Sequence, residues 1–155
     1  MTGRKISYVN GRYLPHEKAF VHIEDRGYQF SDGVYEVIAV HNGKLLDDDL
    51  HFKRLKRSLD CLQIRMPASV AALNAIIKEL IRRNRVKNSY VYMQVTRGVA
   101  PRNHSFPKKD VKPALVIMFT ELKPPPEQDY KNGVKIITAD DLRWHRKDIK
   151  SISLL

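Results

Sequence analysis

The chain has 155 residues, of which 43% are hydrophobic and 29% are charged, so it suits one domain with a core and is short for two complete domains. Its formal net charge is +11, but the basic residues are scattered over helix-like segments without interleaved aromatic residues, which argues against a nucleic-acid-binding surface. No apolar run is long enough to span a membrane, the polar start has no apolar secretory segment, and the single Cys61 excludes an internal disulfide or a cysteine-based metal site, so we expect a cytoplasmic protein.

The first third of the sequence predicts antiparallel strands joined by tight turns. The alternating stretch ISYVNGRYLP, residues 6–15, breaks at the Asn-Gly pair 10–11, as a hairpin does. The stretch AFVHIED, residues 19–25, predicts a second short strand. A longer strand, a turn at the Asn-Gly pair 42–43 and a return strand are predicted by GVYEVIAVHNGKLLD, residues 33–47.

Two helices are predicted after these strands. The acidic run DDDL, residues 47–50, suits a helix N-terminus, and the helix is expected to end before Pro67. Its core-facing leucines are Leu55, Leu59 and Leu62. Cys61 lies at helical spacing from apolar neighbours, so we expect it in the core. Ser69 is suited to cap a second helix with an apolar stripe that predicts core packing and no cofactor. The stripe consists of Val70, Leu73, Ile76, Ile77 and Leu80.

Two further strands and a long loop follow. SYVYMQVTRG, residues 89–98, and ALVIMFTEL, residues 114–122, are the strongest strand predictions, and the second is apolar enough to be buried on both faces. Between them lies VAPRNHSFPKKDVKP, in which two prolines flank Arg102 and His104. An arginine and a histidine two residues apart suit a carboxylate or a phosphate, although two surface side chains are the simpler explanation of the pair alone. The order of elements predicts an α+β fold with an antiparallel sheet and two helices.

The proline-rich ELKPPPEQDY predicts a linker, because three consecutive prolines favour extended polyproline geometry. We place this linker at residues 122–128, after a small N-terminal α+β domain at 1–121. An Asn-Gly turn at 132–133 and a strand at 134–139 then begin a large cofactor-binding domain at 129–155. Since one strand cannot bury a core by itself, this second domain is expected to be truncated.

Lys150 lies between cations and apolar residues near the end of the chain. Both surroundings favour the neutral, nucleophilic amine, because an ammonium group is repelled by nearby cations and poorly solvated among apolar side chains. An ordinary surface lysine remains the simpler explanation when Lys150 is considered alone. The cations are Arg143, Arg146 and Lys147, and the apolar residues are Ile149, Ile152, Leu154 and Leu155.

Three segments together carry a resemblance to a known family. They are EDRGYQFSDGVYEVIAVHNGKLLDDDLHFKRL, YVYMQVTRGVAPRNHSFP and DLRWHRKDIKSISLL. In this order and spacing they resemble the class IV pyridoxal-phosphate-dependent aminotransferases, and among these most closely the D-amino-acid aminotransferases. The sequence departs from the family's QFGDG motif at Ser31, which replaces a glycine and could alter a tight turn.

The resemblance implies roles for individual residues. Lys150 matches the lysine that forms the Schiff base with the cofactor, pyridoxal 5'-phosphate, and shuttles a proton. Arg54 matches an arginine that contacts the cofactor phosphate, and Tyr35 matches a tyrosine near the cofactor and the substrate carboxylate. Arg102 and His104 match a carboxylate trap, which in the family reaches across from the other subunit of a homodimer. The pocket is expected to be completed by Val37 on the substrate side, by Tyr92 and by Arg143.

The implied reaction moves an amine from a D-amino acid to a 2-oxo acid, of the D-alanine and 2-oxoglutarate type. A branched-chain L-amino-acid aminotransferase and an aminodeoxychorismate-lyase-like enzyme are the alternatives within the family, and the Arg102 and His104 pair argues for the D-specific type. A catalytically inactive basic binding fragment is the alternative outside it. The family's second domain supplies the acidic partner of the pyridine nitrogen and most phosphate donors, so the resemblance places those groups outside this sequence.

Overall fold

The described residues form an α+β fold built on one six-stranded sheet. The structure is a computed structural model that describes residues 5–107, 110–122, 124–140 and 147–153. The strands are β1 (Ile6–Val9), β2 (Arg12–Pro15), β3 (Gly33–His41), β4 (Lys44–Leu45), β5 (Ser89–Thr96) and β6 (Ala114–Glu121). They lie in the order β2-β1-β6-β5-β3-β4, and each pairing between these strands is antiparallel.

Two Asn-Gly turns close the predicted hairpins. Asn10 and Gly11 join β1 to β2 with φ of 48° and 95°, and Asn42 and Gly43 join β3 to β4 with φ of 49° and 76°. Positive φ at both central residues matches the right-handed twist of the flanking strands, and it is tolerated best by asparagine and glycine. Both hairpins predicted from the sequence are therefore confirmed.

The helices are α1 (Arg26–Phe30), α2 (Asp48–Cys61), α3 (Val70–Asn84) and α4 (Glu127–Asn132), with a 3₁₀ turn at His16–Lys18. Helices α2 and α3 confirm the predicted pair, and the Ser69 hydroxyl caps α3 by accepting from the Ala72 amide at 3.2 Å. Their apolar stripes pack on the inward face of the sheet and form the core, except Val70 at the start of α3, which is exposed, so its predicted place in the core is wrong. The fully buried members of the core include Val34, Ile38, Leu55, Leu59, Leu73, Ile77, Leu80, Val91, Met93 and Ile117. None of the helices in the described ranges is long and apolar enough to cross a membrane.

The predicted strand at 19–25 is wrong. The segment follows the 3₁₀ turn and, within the described ranges, makes no strand pairing beyond a single bridge between Asp25 and Val99. Its apolar residues stay exposed; they are Phe20, Val21 and Ile23. The short helix α1, which no periodicity indicated, follows immediately, and the Asp25 carboxylate caps it by accepting from the Gly27 amide at 2.8 Å.

Cys61 is exposed, so its predicted place in the core is wrong. The buried residues of α2 end with Leu59, and a position two residues further lies about 200° around a helix of 3.6 residues per turn. Cys61 therefore points away from the sheet. Strand β6 is buried on its inward face and partly buried on the other, which is less than the burial on both faces that its composition predicted.

The segment after β6 differs from the prediction. Residues 124–126 are exposed, and helix α4 begins at Glu127, inside the predicted linker. Residues 134–139 form no strand and are exposed, so that prediction is wrong; a strand needs a neighbour to satisfy its amide and carbonyl groups, and this segment has none among the described residues. The division of the chain into domains at 122–128 remains a prediction.

Candidate active site

The backbone around Lys150 is placed by β3 and α2. The Tyr35 amide donates to the Lys150 carbonyl at 3.0 Å, and the Ile152 amide donates to the Gly33 carbonyl at 3.1 Å. The Lys150 amide donates to the hydroxyl of the fully buried Ser58 in α2 at 3.2 Å. Ile149 is buried in the core. Residues 149–152 therefore run along the edge of β3 that the two-residue strand β4 leaves open.

The Lys150 amine lies against an aromatic pair. Its Nζ atom is 4.2 Å from the centroid of the Tyr35 ring, which stacks on the Tyr92 ring with 5.7 Å between centroids. The Tyr92 hydroxyl donates to Gln94 Oε1 at 2.6 Å, and burial, with the nearby Tyr35, raises the pKa of Tyr92. Val37 faces Tyr92 across β3 and β5 and is partly buried. The sheet face beside Lys150 is thus largely aromatic.

Arg54 is fixed from the other side of β3 by a buried carboxylate. Its Nε and Nη2 atoms donate to the two oxygens of Glu36 at 2.7 and 2.6 Å. His51, one turn earlier in α2, is 2.8 Å from Glu36 through Nδ1; because an ionised carboxylate only accepts, Nδ1 is the donor. The hydrogen bonds to Glu36 raise the pKa of Arg54, which keeps it cationic. Arg54 lies one helical turn before Ser58, whose hydroxyl accepts from the Lys150 amide, so β3 and α2 bring Lys150, Tyr35 and Arg54 to one part of the fold.

Arg102 and His104 form a second group around Phe30. The Arg102 guanidinium is 5.2 Å from the Phe30 ring centroid, and the His104 ring is 5.5 Å from it. Both side chains are exposed. Among the described residues, no contact joins this pair to Lys150 or Tyr35. Arg143 lies outside the described residues.

The loop that carries this pair is held by a buried charge cluster. Arg26 donates from Nη1 to the carbonyl of Asn103, the residue between Arg102 and His104, at 2.8 Å. Its Nε donates to Asp32 at 2.8 Å, and Asp32 also accepts two hydrogen bonds from Arg97 at 2.7 and 3.0 Å. One carboxylate is thus shared by two guanidinium groups, and that of Arg26 also donates a hydrogen bond to the backbone of the loop.

Residues 33–155 match the family "Amino-transferase class IV". The chain belongs to the class IV aminotransferase family. It is 43% identical over 148 residues to a D-alanine aminotransferase of Staphylococcus haemolyticus, and this match covers 96% of the chain and 52% of the relative. The chain therefore spans about half the length of the curated relatives it matches.

Solved structures of other enzymes share the fold. A branched-chain amino acid aminotransferase from Escherichia coli has a TM-score of 0.70 at 19% identity, over 77% of this chain and 41% of that one. A 4-amino-4-deoxychorismate lyase from Pseudomonas aeruginosa has a TM-score of 0.65 at 26% identity, over 83% of this chain and 44% of that one. The predicted α+β fold and family resemblance are confirmed.

The class IV family uses pyridoxal phosphate, and the side chains of Lys150, Tyr35 and Arg54 have the chemistry to hold part of it. Lys150 offers an amine, Tyr35 an aromatic face and a hydroxyl, and Arg54 a cation 43% exposed to solvent. An amine can bond to an aldehyde, an aromatic face can contact a pyridine ring, and a guanidinium can bind a phosphate. The residues present therefore fit the cofactor on the side of the site that this chain supplies.

Sequence reasoning missed Glu36, Arg26 and Asp32. A signal for Glu36 was present, since it is a charged residue in the inward-facing row Val34, Glu36, Ile38 of an otherwise apolar strand. A carboxylate at such a position indicates a paired cation. Arg26 and Asp32 had no comparable signal, because no apolar strand or helix pattern marks them as buried and their further partners, Asn103 and Arg97, are distant in sequence.

Proposed function

We propose that this protein takes part in pyridoxal-phosphate-dependent transamination between a D-amino acid and a 2-oxo acid, of the D-alanine and 2-oxoglutarate type. The similarity to the D-alanine aminotransferase of Staphylococcus haemolyticus supports the reaction and the substrate class. The observation that carries the proposal is the Lys150 amine on the Tyr35 ring, with Arg54 one helical turn from Ser58, which holds the Lys150 backbone. We also propose a cytoplasmic location, on the single cysteine of the sequence.

The cofactor, when bound, supplies an electron sink that stabilises a carbanion at the α carbon of the amino acid. Lys150 Nζ would hold the cofactor through its amine and would serve as the general base and acid for the proton at that α carbon. Its backbone is fixed by hydrogen bonds to β3 and α2, so the side chain that carries the amine extends from a fixed position to the Tyr35 ring. Arg54 carries its charge at every physiological pH and binds the phosphate through the part of its guanidinium that Glu36 leaves free.

Arg102 and His104 are proposed to bind the substrate carboxylate in a homodimer. In one chain they contact Phe30 and not Lys150, so a second subunit has to bring them to the amine. The surface around their loop is apolar and exposed, as a subunit interface requires before association. Its members are Phe20, Ile23, Tyr28, Val99 and Phe106.

Reductive labelling tests the proposed cofactor site. The chain is incubated with pyridoxal phosphate, reduced with borohydride and digested, and the adduct on each lysine is quantified by mass spectrometry. We expect Lys150 to be labelled at a lower concentration than the exposed Lys78 of α3, which is the reference. Equal labelling of the two lysines would contradict a cofactor site at Lys150.

A complementation assay tests the reaction. The chain is mixed with the part of the Staphylococcus haemolyticus relative that lies outside the matched 52%, and amine transfer from D-alanine to 2-oxoglutarate is followed. Activity with D-alanine above that with L-valine supports the D-specific proposal, and a Lys150→Ala chain is the inactive control. Faster turnover of L-valine favours the branched-chain alternative. Release of pyruvate from 4-amino-4-deoxychorismate favours the lyase.

A further inference from the structure

Glu36 is an ionisable residue in the apolar interior. Its neighbours on the inward face of β3, Val34 and Ile38, are fully buried, and Glu36 itself has no exposed surface. A carboxylate in such a place costs several kcal/mol unless cations and hydrogen-bond donors compensate for the lost water. The partners of Glu36 therefore account for its presence.

Both carboxylate oxygens of Glu36 are engaged by α2. Oε1 accepts from Arg54 Nε, and Oε2 accepts from Arg54 Nη2 and from His51 Nδ1. The two bonds to Arg54 form the planar, two-point pairing that arginine makes with carboxylates. His51 and Arg54 are three residues apart and so lie on the same face of the helix.

This pairing fixes the orientation of the Arg54 guanidinium. Two points of contact prevent the group from rotating about its bond to the side chain, so Nη1 is directed away from Glu36. Among the described residues, no hydrogen bond engages Nη1, and 43% of the Arg54 side chain is exposed. Arg54 thus presents a fixed donor edge, one helical turn from the Ser58 hydroxyl that holds the Lys150 backbone.

We propose that Glu36 is a positioning residue for the phosphate ester of the ligand bound at Lys150, acting through Arg54. The inference rests on the proposed function for the identity of that ligand. If the pairing of Glu36 with Arg54 served only to join β3 to α2, it would stabilise the fold without favouring a phosphate ester over the same ligand lacking it. The two roles therefore differ in what happens when the phosphate is removed from the ligand.

Labelling of Lys150 with pyridoxal phosphate and with pyridoxal, each followed by borohydride reduction, measures the contribution of the phosphate. The readout is the ratio of the half-labelling concentrations of the two aldehydes, with Lys78 as the reference lysine. We expect Glu36→Gln to lower the preference for the phosphorylated aldehyde about tenfold, since a misaligned guanidinium loses a charge-assisted bond, and to leave labelling by pyridoxal unchanged. Glu121→Gln, an exposed glutamate on β6, is the matched control and should change neither.

A double variant shows whether Glu36 acts through Arg54. In an Arg54→Ala chain, Glu36→Gln should cause no further loss of the phosphate preference, and an additional loss overturns the inference. An equal rise of both half-labelling concentrations in Glu36→Gln also overturns it, while the proposed function stands. If the unaltered chain shows no preference of pyridoxal phosphate for Lys150 over Lys78, the proposed function fails and the inference fails with it.

A measurement on the unaltered chain keeps the inference testable if Glu36→Gln does not fold. Nitrogen-15 NMR should show separate Nη1 and Nη2 signals for Arg54, because the pairing with Glu36 stops their exchange by rotation. The Nη1 signal should shift with pyridoxamine 5'-phosphate and not with pyridoxamine. One averaged signal, or no shift with the phosphorylated amine, overturns the inference.

Discussion

Replacing Asp32 by asparagine removes the charge that two arginines share. The side chains of Arg26, Asp32 and Arg97 are 3%, 9% and 13% exposed, so water cannot replace the lost carboxylate. Breaking a buried ion pair costs about 3–5 kcal/mol. Arg26 keeps its bond to the Asn103 carbonyl, and Arg97 keeps its bonds to two carbonyls of residues 62 and 63, so we expect the lower end, about 3 kcal/mol.

Urea unfolding followed by circular dichroism measures this change. If the dependence of the unfolding free energy on urea concentration is unaltered, a shift of the urea midpoint reports a change in stability alone. Asp60→Asn is the matched control, because its pair with Lys56 is 59% and 64% exposed, and its loss should cost less than about 0.5 kcal/mol. Hydrogen exchange at Ser105 should also accelerate in Asp32→Asn, since Arg26 then binds the loop without the Asp32 carboxylate that orients its guanidinium. If Asp32→Asn costs no more than Asp60→Asn, the cluster does not stabilise the fold in the way described.

Three further changes test separate features. Ser31 has a φ of 53°, so Ser31→Gly should raise the free energy of unfolding by up to about 1 kcal/mol; a loss of stability would contradict strain at this turn. Hydrogen bonds from two arginines of α3 lower the pKa of Glu79 from 4.5 to about 2, so its contribution is complete above pH 4.5 and is lost as pH falls toward 2; the stability of Glu79→Gln should therefore fall less over this interval. Arg102→Ala should raise the Michaelis constant for D-alanine about thirtyfold in the complemented enzyme, which corresponds to roughly 2 kcal/mol, and an unchanged constant contradicts the carboxylate trap.

Much of the fold could be predicted because its signals are local. Asn-Gly pairs require positive φ, apolar alternation marks β3 and β5, and Ser69 caps a helix whose period is clear. Helix α1 has only five residues, which is too short for a period. It packs closely on β5, where a Cβ on Gly27 would lie 2.2 Å from the Thr96 side chain, and no local pattern reports that approach. The segment 19–25 alternates as a strand does, but in the described part of the chain its only pairing is the bridge from Asp25 to Val99.

The candidate site, like the fold, could be predicted from the sequence only in part. The resemblance pointed to Lys150, Tyr35 and Arg54; the structure brings Lys150 to Tyr35 and places Arg54 one turn from Ser58, which holds the Lys150 backbone, while their roles stay proposals. It pointed equally to Arg102 and His104, which one chain does not bring to the lysine. The inward-facing Glu36 in an apolar strand indicated a paired cation, but only the structure shows that this cation is Arg54.

The hydrogen bonds that place Lys150 involve its own main chain, which every other residue except proline also has. The position is therefore defined independently of the side chain attached to it. A cysteine or a non-natural amine introduced at position 150 should emerge above the same tyrosine ring without rebuilding its surroundings. The backbone of this segment thus offers a ready attachment point for redesign, at which the reactive group can be exchanged while the scaffold is kept.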